Sequence, residues 1–362
     1  MEPLKEMFNK SFYERLALEI NKVDKKFQVD NFVNEVIDQL EKRSLNERLR
    51  NTSIVLKRHL PKRYEAAVEL LTTVAPSFNS HYTAFLFPDF IGLYGHDHYD
   101  LSIQTLKYFT QFGSSEFAIR EFLKRDFDKT IRVMNKWAED DNYHVRRLAS
   151  EGSRPRLPWS FKLDEVIKNP KVTKSILEKL KNDDVLYVKK SVANHLNDIS
   201  KENTDYMLNL ICGWNIKNEH TAWIIKHASR TLIKKGHSQS LAIFDFEKEP
   251  KIKIENFKLS DSKIKIGSVM QFNFTLISDK SNSQKLVIDY IIHYFKKAGT
   301  LFPKVFKLKE IKLAPKQTIN IIKTHAFQQL STRKLYEGNH FIELVVNGKS
   351  YIKQPFTLNK GN

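Results

Sequence analysis

Cysteine is nearly absent from this chain. Cys212 stands alone among 362 residues, which excludes an intramolecular disulfide and any zinc site built on cysteines. A reducing cytoplasm is the compartment that suits such a chain. Long apolar runs are missing as well. Nothing reaches the roughly 18 consecutive apolar residues that a membrane span requires. Met1 to Lys10 mix acids and bases without an apolar stretch, so no secretory signal is expected there. No G-x-S-x-G element occurs, and Cys212 has no activating neighbours in the sequence. Gly95-His96-Asp97-His98 carries metal-binding residue types, but without further ligands at metal-site spacing it reads as a polar loop. Asn347-Gly348-Lys349-Ser350 lacks the glycine-rich lead of a phosphate loop. No cofactor and no metal are expected.

Acid is scarce at one end. The net charge is +18 and the pI about 9.6. Residues 251–362 hold 20 Lys+Arg against 7 Asp+Glu, a net of +13, while residues 1–250 hold 40 against 35, a net of +5. Such a field favours a polyanion, nucleic acid ahead of an anionic membrane.

What is present divides into two patterns. Up to about residue 240 the apolar spacing is helical. Phe12, Leu16, Ile20 and Val23 form one stripe, and Val33, Val36, Ile37 and Leu40 another. Asp141-Asn-Tyr-His-Val145-Arg-Arg-Leu-Ala149 aligns with Asp184-Val-Leu-Tyr-Val188-Lys-Lys-Ser-Val192 at a shift of 43, with looser echoes at Ile119–Leu123 and Trp223–Ala228. A period in the forties with paired helices points to HEAT-like repeats, each burying its apolar face against its neighbours. The pairs Arg146-Arg147 and Lys189-Lys190 fall at equivalent repeat positions. After Lys251 the period becomes two. Phe272, Phe274 and Leu276 alternate with polar residues, Phe341, Glu343 and Val345 take alternate positions, and Val287–Phe295 is a denser strand. Asn347-Gly348 between two such runs predicts a type I′ hairpin. About seven strands fit an immunoglobulin-like sandwich. The expected fold is therefore a multidomain α + β chain, with a HEAT-like α-helical repeat solenoid over 1–240 followed by a basic immunoglobulin-like β-sandwich over 250–362.

The densest chemistry lies in Asp141–Trp159. A helix carries Val145, Leu148 and Ala149 on one side, with Gly152 at the place of a C-terminal cap. Pro155 and Pro158 then forbid helix and push Arg154 and Leu157 towards extended backbone. The segment presents a carboxylate at a helix end, Glu151, then a stiff arm with Arg154, Arg156 and Trp159. A carboxylate there meets the negative end of the helix dipole, an unfavourable placement that points to function rather than stability.

Two stretches, Ser114-Ser-Glu116-Phe-Ala-Ile-Arg120-Glu-Phe-Leu123 and His144–Trp159, resemble the bacterial DNA alkylation-repair glycosylases built from HEAT-like repeats, in particular the AlkC branch. The basic β region is similar to the immunoglobulin-like extension of one AlkC subgroup. The resemblance implies hydrolysis of the bond between deoxyribose and a cationic alkylated base such as N3-methyladenine or N3-methylcytosine in duplex DNA, without a pocket that swallows the base. Such a base is already positive and leaves without a general acid. What needs stabilising is the oxocarbenium-like sugar, a task for carboxylates.

Glu151 is the first candidate for that role and Glu116 the second. Trp159 offers an indole to the sugar or the cationic base, and Asp198 is a weaker candidate acid. Arg147, Arg154 and Arg156 would grip phosphates, with Arg146, Lys189 and Lys190 as further DNA-binding candidates. Lys251, Lys253, Lys304, Lys307 and Lys309, alternating on strands, would add salt-sensitive affinity from shared sheet faces. The expected partner is double-stranded DNA with alkylated bases, met by a monomer and not at a membrane. The competing expectation is a HEAT-repeat scaffold or structure-specific DNA binder without catalysis.

Overall fold

The structure, a computed structural model, describes residues 3–78, 82–329 and 333–360. The chain forms two compact units, Met1–Ala228 and Ser229–Asn362.

The first unit is helical throughout. Its helices are α1 (Lys10–Val23), α2 (Val29–Ile37), α3 (Leu45–His59), α4 (Tyr64–Val74), α5 (Leu86–Tyr94), α6 (Tyr99–Phe109), α7 (Ala118–Arg125), α8 (Phe127–Trp137), α9 (Tyr143–Gly152), α10 (Asp164–Lys168), α11 (Lys174–Leu180), α12 (Leu186–Ile199), α13 (Thr204–Cys212) and α14 (Glu219–Ala228). Local chemistry sets several of the starts. Ser44 and Glu47 form a reciprocal capping box ahead of α3. Asp126 accepts from the Lys129 amide at the start of α8, and Asn142 from the His144 amide at the start of α9. The stripe on α1 is rotated from expectation. Tyr13, Leu16, Ala17 and Ile20 are buried, while Val23 is exposed. Among the described residues no helix is long and apolar enough to cross a membrane.

The repeat is real in three dimensions. Helices α9 and α12 begin 43 positions apart, and α9 packs on both α8 and α12, with α12 on α14. The aligned Val145 and Val188 are both fully buried. Gly152 has a different job from the cap expected of it. It is the last helical residue of α9, and Ser153 is the cap. A Cβ at Gly152 would come within 2.5 Å of Ile119 Cγ2 and 3.0 Å of Met134 Cε, so the missing side chain lets α9 approach α7 and α8 closely.

The second unit begins with two short helices, α15 (Arg230–Lys234) and α16 (Ser238–Ala242). Their residues, expected with the helical region by composition, pack on the β structure instead. Ile233, Leu241 and Phe246 cluster with Val287. The strands are β1 (Ile252–Leu259), β2 (Lys263–Lys265), β3 (Val269–Ser278), β4 (Gln284–Phe295), β5 (Leu301–Leu313), β6 (Thr318–Ala326), β7 (Gly338–Val346) and β8 (Lys349–Asn359). One sheet has the order β1-β3-β6 and the other β2-β8-β7-β4-β5. All named pairings are antiparallel except β2 with β8.

Phe272, Phe274 and Leu276 face Ile288, Tyr290 and Ile292 in the core. On β7 the core face is Ile342, Leu344 and Val346, so the alternate set read from the sequence lies on the opposite side. There Glu343 pairs with His293 at 2.6 Å. The hairpin forms as expected, with positive φ at both Asn347 (49°) and Gly348 (78°).

Lys307 and Lys309 do not share a face. A bulge lies between them, so Lys307 stands opposite Asp289 and Lys309 opposite Ile288. Neighbouring residues of β4 point to opposite sides of the sheet, and their partners follow.

Candidate active site

The two sequence motifs meet because α7 and α9 both pack on α8. Glu116 stands just before α7, Arg147 and Glu151 lie one turn apart on α9, and Asp198 lies on the neighbouring α12. These residues form an alternating chain of charge. Glu116 Oε2 accepts from Arg147 Nη1 and from Ser114 Oγ (2.7 Å). Arg147 Nη2 is 3.5 Å from Glu151 Oε1, which also accepts from Arg154 Nη1 at 2.6 Å. Arg154 in turn donates through Nε (2.8 Å) to Asp198 Oδ2, with its Nη2 at 2.7 Å, and Lys201 closes the chain on Asp198 Oδ1 at 2.9 Å.

Every link but Lys201 is largely buried. Glu151 is 6% exposed, Arg154 6% and Asp198 3%. Burying an ion costs several kcal/mol, which only close opposite charges offset. Burial pushes the Glu151 carboxyl up, but Arg147 and Arg154 outweigh it and hold it below the ordinary carboxylate value. Burial likewise opposes the charged form of Arg147, and Glu116 with Glu151 hold it above the usual arginine value. Both groups are therefore ionised at neutral pH. Tyr187 covers Arg147, its ring centroid 4.6 Å from the guanidinium carbon.

An open cleft of about 640 Å³ lies over this chain, lined by Glu116, Arg147, Ser114, His144, Tyr187 and Tyr82 among others. Glu116 meets the cleft directly. Glu151 lies behind it, one link deeper.

The arm after α9 is not extended. It folds back in turns, with the Arg154 amide bonded to Glu151 O (3.3 Å), the Ser160 amide to Leu157 O (3.3 Å) and the Leu163 amide to Pro155 O (3.1 Å). One residue organises it. Arg120 of α7, fully buried, donates to Gly152 O (3.0 Å), Arg154 O (2.7 Å) and Phe161 O, and sits over the Phe161 ring. Burial, then the Arg154 charge, lower its pKa to about 10, which still leaves it cationic. At the tip Trp159 is 65% exposed with φ of 63°. Its indole meets Tyr82 edge-on at 5.9 Å, and Tyr82 stacks on Phe85. Left-handed backbone at a bulky aromatic is costly and collects at functional sites.

The remaining candidates separate by partner. Arg154, expected as a phosphate grip, is buried with both ends of its guanidinium spent on carboxylates. Arg156 pairs with Glu202. Arg146 is held by Asp183 at 2.6 Å and by the carbonyls of Asp140 and Asp141. Lys189 lies 3.1 Å from His220 and over the Trp223 ring. Lys190 is exposed. Of the metal-like loop, Asp97 pairs with Arg125, and His98 stacks on Tyr64. Among the described residues no cluster of His, Cys, Asp and Glu is placed to hold a metal.

Sequence reasoning gave no role to Arg120, although it lies inside the first motif, and none to Tyr82, Phe85 or Tyr187. Tyr82 carries no pattern, since its partner Trp159 is more than seventy positions away.

Residues 253–360 match the C-terminal Ig-like domain family of YhaZ. YhaZ of Bacillus subtilis (strain 168), an uncharacterized protein, is 39% identical over 350 residues, covering 96% of this chain and 97% of YhaZ. The alkylpurine DNA glycosylase AlkC of Pseudomonas fluorescens, solved bound to DNA containing an abasic-site analog, is 42% identical. It superposes with a TM-score of 0.95 over 99% of this chain and 100% of AlkC. AlkD2 from Streptococcus mutans is 19% identical with a TM-score of 0.31, over 59% of this chain and 98% of AlkD2, too distant to carry an argument. The chain belongs to the AlkC family, a helical-repeat domain followed by an immunoglobulin-like sandwich.

Proposed function

We propose that this protein is a monofunctional DNA glycosylase that excises cationic alkylated bases, N3-methyladenine and N3-methylcytosine, from double-stranded DNA and so begins base excision repair. The observation that carries the reading is the Glu116–Arg147–Glu151 array at the open cleft, in a chain that shares the AlkC fold over its whole length.

In this mechanism the bond between C1′ and the base nitrogen breaks with its electrons going to the base, which leaves neutral. The positive charge left on the sugar is stabilised by the carboxylates. Such a contact is stronger in the transition state than in the ground state and therefore raises rate. Water adds at C1′ and gives its proton to a carboxylate or to solvent, leaving an abasic site. Arg147 holds Glu116 and Glu151 apart and helps keep Glu151 ionised. Trp159 meets the sugar or the cationic base at the mouth of the site. An open cleft suits capture of the lesion without a base-swallowing pocket. Arg156, Lys189 and Lys190 face the phosphates, and the sandwich lysines supply sequence-independent affinity. Arg154 and Asp198 act from behind as the second pair that fixes Glu151. The protein works as a monomer.

The test is base release from methylated duplex DNA, read by chromatography, with Glu151→Gln and Glu116→Gln beside the wild type. Release of N3-methyladenine by the wild type, lost in a variant that still binds DNA, supports the reading. DNA binding with no release of any methylated base overturns it in favour of a non-catalytic repeat binder.

A further inference from the structure

The proposed hydrolysis leaves one proton without a fixed destination. When water adds at C1′, one of its O–H protons must be taken up. The titratable side chains that line the cleft narrow the choice. Arg147 is held in its charged form by Glu116 and Glu151 and can accept nothing. Burial pushes the Tyr82 hydroxyl up to about 12 and raises that of Tyr187, so neither ionises to a base near neutral pH. Glu116 spends Oε2 on Arg147 and on Ser114 Oγ (2.7 Å). Glu151 lies one link deeper, between two arginines that hold it below the ordinary carboxylate value and so make it a weak base.

His144 is the exception. It stands in the first turn of α9, three residues before Arg147, and lines the cleft with Glu116. Tyr143 packs on its ring at 4.1 Å and Tyr187 meets it edge-on at 5.9 Å, so the imidazole is clamped between two aromatics. The same Tyr187 ring carries Arg147. The backbone amide of His144 donates to Asn142, but its ring nitrogens form no hydrogen bond among the described residues. The charges around it are accounted for. Arg147 follows on α9 and Glu116 stands ahead of α7, while Asp140 and Asp183, before α9 and α12, are tied to Lys107 and Arg146. Burial, then Arg147, lower the His144 pKa from its ordinary value, so the ring is neutral at neutral pH.

We propose that His144 is a further catalytic residue, the base that takes the proton of the attacking water at a free ring nitrogen while Glu116 and Glu151 stay ionised beside the sugar. The assignment rests on the glycosylase reading. The bond that forms joins the water oxygen to C1′, and the bond that breaks is O–H, whose electron pair stays on oxygen. The imidazolium then returns its proton to solvent through the open cleft. Removing that proton commits the sugar to water before the departing base can recombine with it.

The experiment follows base release from methylated duplex DNA in single turnovers between pH 5 and 8, with release in the absence of protein subtracted. His144→Gln and His144→Ala run beside the wild type. The wild-type rate should fall as pH drops through the His144 value, below 6.5, because a protonated ring cannot accept. His144→Gln should be slower by roughly tenfold or more at pH 7.5 and should lose that acid limb. Its melting temperature and its binding of abasic-site DNA should match the wild type. Added imidazole should restore much of the rate to His144→Ala, which a merely structural histidine would not allow. A His144→Gln rate within twofold of the wild type, an acid limb that persists in that variant, or a slow His144→Ala that imidazole does not repair overturns the inference and leaves the glycosylase reading standing. A wild type that releases no base sinks the glycosylase reading and the assignment with it.

Discussion

The two units bury polarity in opposite ways. The helical unit encloses ions: Glu116, Arg147, Glu151, Arg154 and Asp198 alternate through its interior. The sandwich, beside the buried Asp289, encloses a cluster of neutral groups. His325 lies between the hydroxyls of Tyr290 (2.9 Å) and Tyr294 (3.0 Å), with Arg333 touching Tyr294 from the margin. Burial, with Arg333 nearby, lowers the His325 pKa to about 4, so it is uncharged at neutral pH. The sandwich keeps its large positive excess in lysines along its strands, such as Lys304, Lys307, Lys309 and Lys312, which are all exposed. Stability needs only the second arrangement. An enclosed chain of ions is harder to build, and it makes sense where charge must be ready at a fixed place before a substrate arrives.

The sharpest way to break this comparison is to remove one polar group from each interior. Arg154→Met leaves Glu151 and Asp198 buried without their shared partner and should cost the helical unit about 3–5 kcal/mol. Tyr294→Phe removes one neutral hydroxyl from the sandwich and should cost about 1 kcal/mol. Denaturant unfolding can separate the two, because Trp137, Trp159, Trp214 and Trp223 all lie in the helical unit. Tryptophan fluorescence reports that unit, and circular dichroism of the β structure reports the other. Equal losses would mean that the ion chain is not the stiffer element.

Arg120→Lys should reduce base release by roughly ten- to a hundredfold, since small misplacements of reacting groups have effects of that order. A single ammonium cannot reproduce the fork that holds three carbonyls. A fall in kcat with KM little changed would identify Arg120 as a positioning residue; an unchanged kcat would remove it from the mechanism.

Acid should distinguish the units more gently. His195 is fully buried, its Nδ1 3.0 Å from Ser150 O, and burial followed by Arg154 lowers its pKa to about 3. The unfolded chain takes up that proton below about pH 6.5, while the folded chain does so only near 3. Stability from this group is therefore present at neutral pH and lost as pH falls through that window, by up to about 1.4 kcal/mol per unit. For His325 the window is shorter, from about 6.5 to 4. Glu151 adds nothing over this range. Its folded pKa lies below 4.5, so its stabilising effect is lost only as pH falls past the ordinary carboxylate value. Unfolding curves at pH 7, 6 and 5 should show both units weakening. His195→Asn should flatten the pH dependence of the tryptophan signal alone.

The smallest effect sharpens the charge argument. If a face of the large sheet meets DNA, only one of Lys307→Ala and Lys309→Ala should lower the slope of log affinity against log salt, by about 1. The bulge sends the two side chains to opposite sides. Equal changes in both variants would show that affinity comes from a diffuse field rather than from a face.

The sequence was legible where the chemistry is local. The Asp141–Trp159 stretch announced a helix that stops at a carboxylate and an exposed indole, and Asn347-Gly348 announced its turn. It was opaque where the partner is distant. Arg154 and Arg156 look alike beside the same prolines. Only Asp198, 44 positions on, draws one of them inside, while Glu202 holds the other at the surface. The arm's turns depend on Arg120, more than thirty positions earlier. Lysine spacing on β5 could not reveal a bulge, because alternation along a strand assumes an unbroken ladder. Strand β2, three residues long and paired parallel to β8, is too short to show a period.

Arg120 has one more consequence. By tying Gly152, Arg154 and Phe161 to the first turns of α7, it makes the arm part of the same cooperative block as the helices beneath it. Amide hydrogens along such a loop should exchange only when that block opens, on the slow schedule of a core rather than the fast one of a surface turn. An active site that cannot flex must receive a substrate that does. On the proposed function, the energetic burden of fitting lesion to carboxylate would fall on the double helix, and damaged steps that bend or unstack easily would be favoured by their compliance.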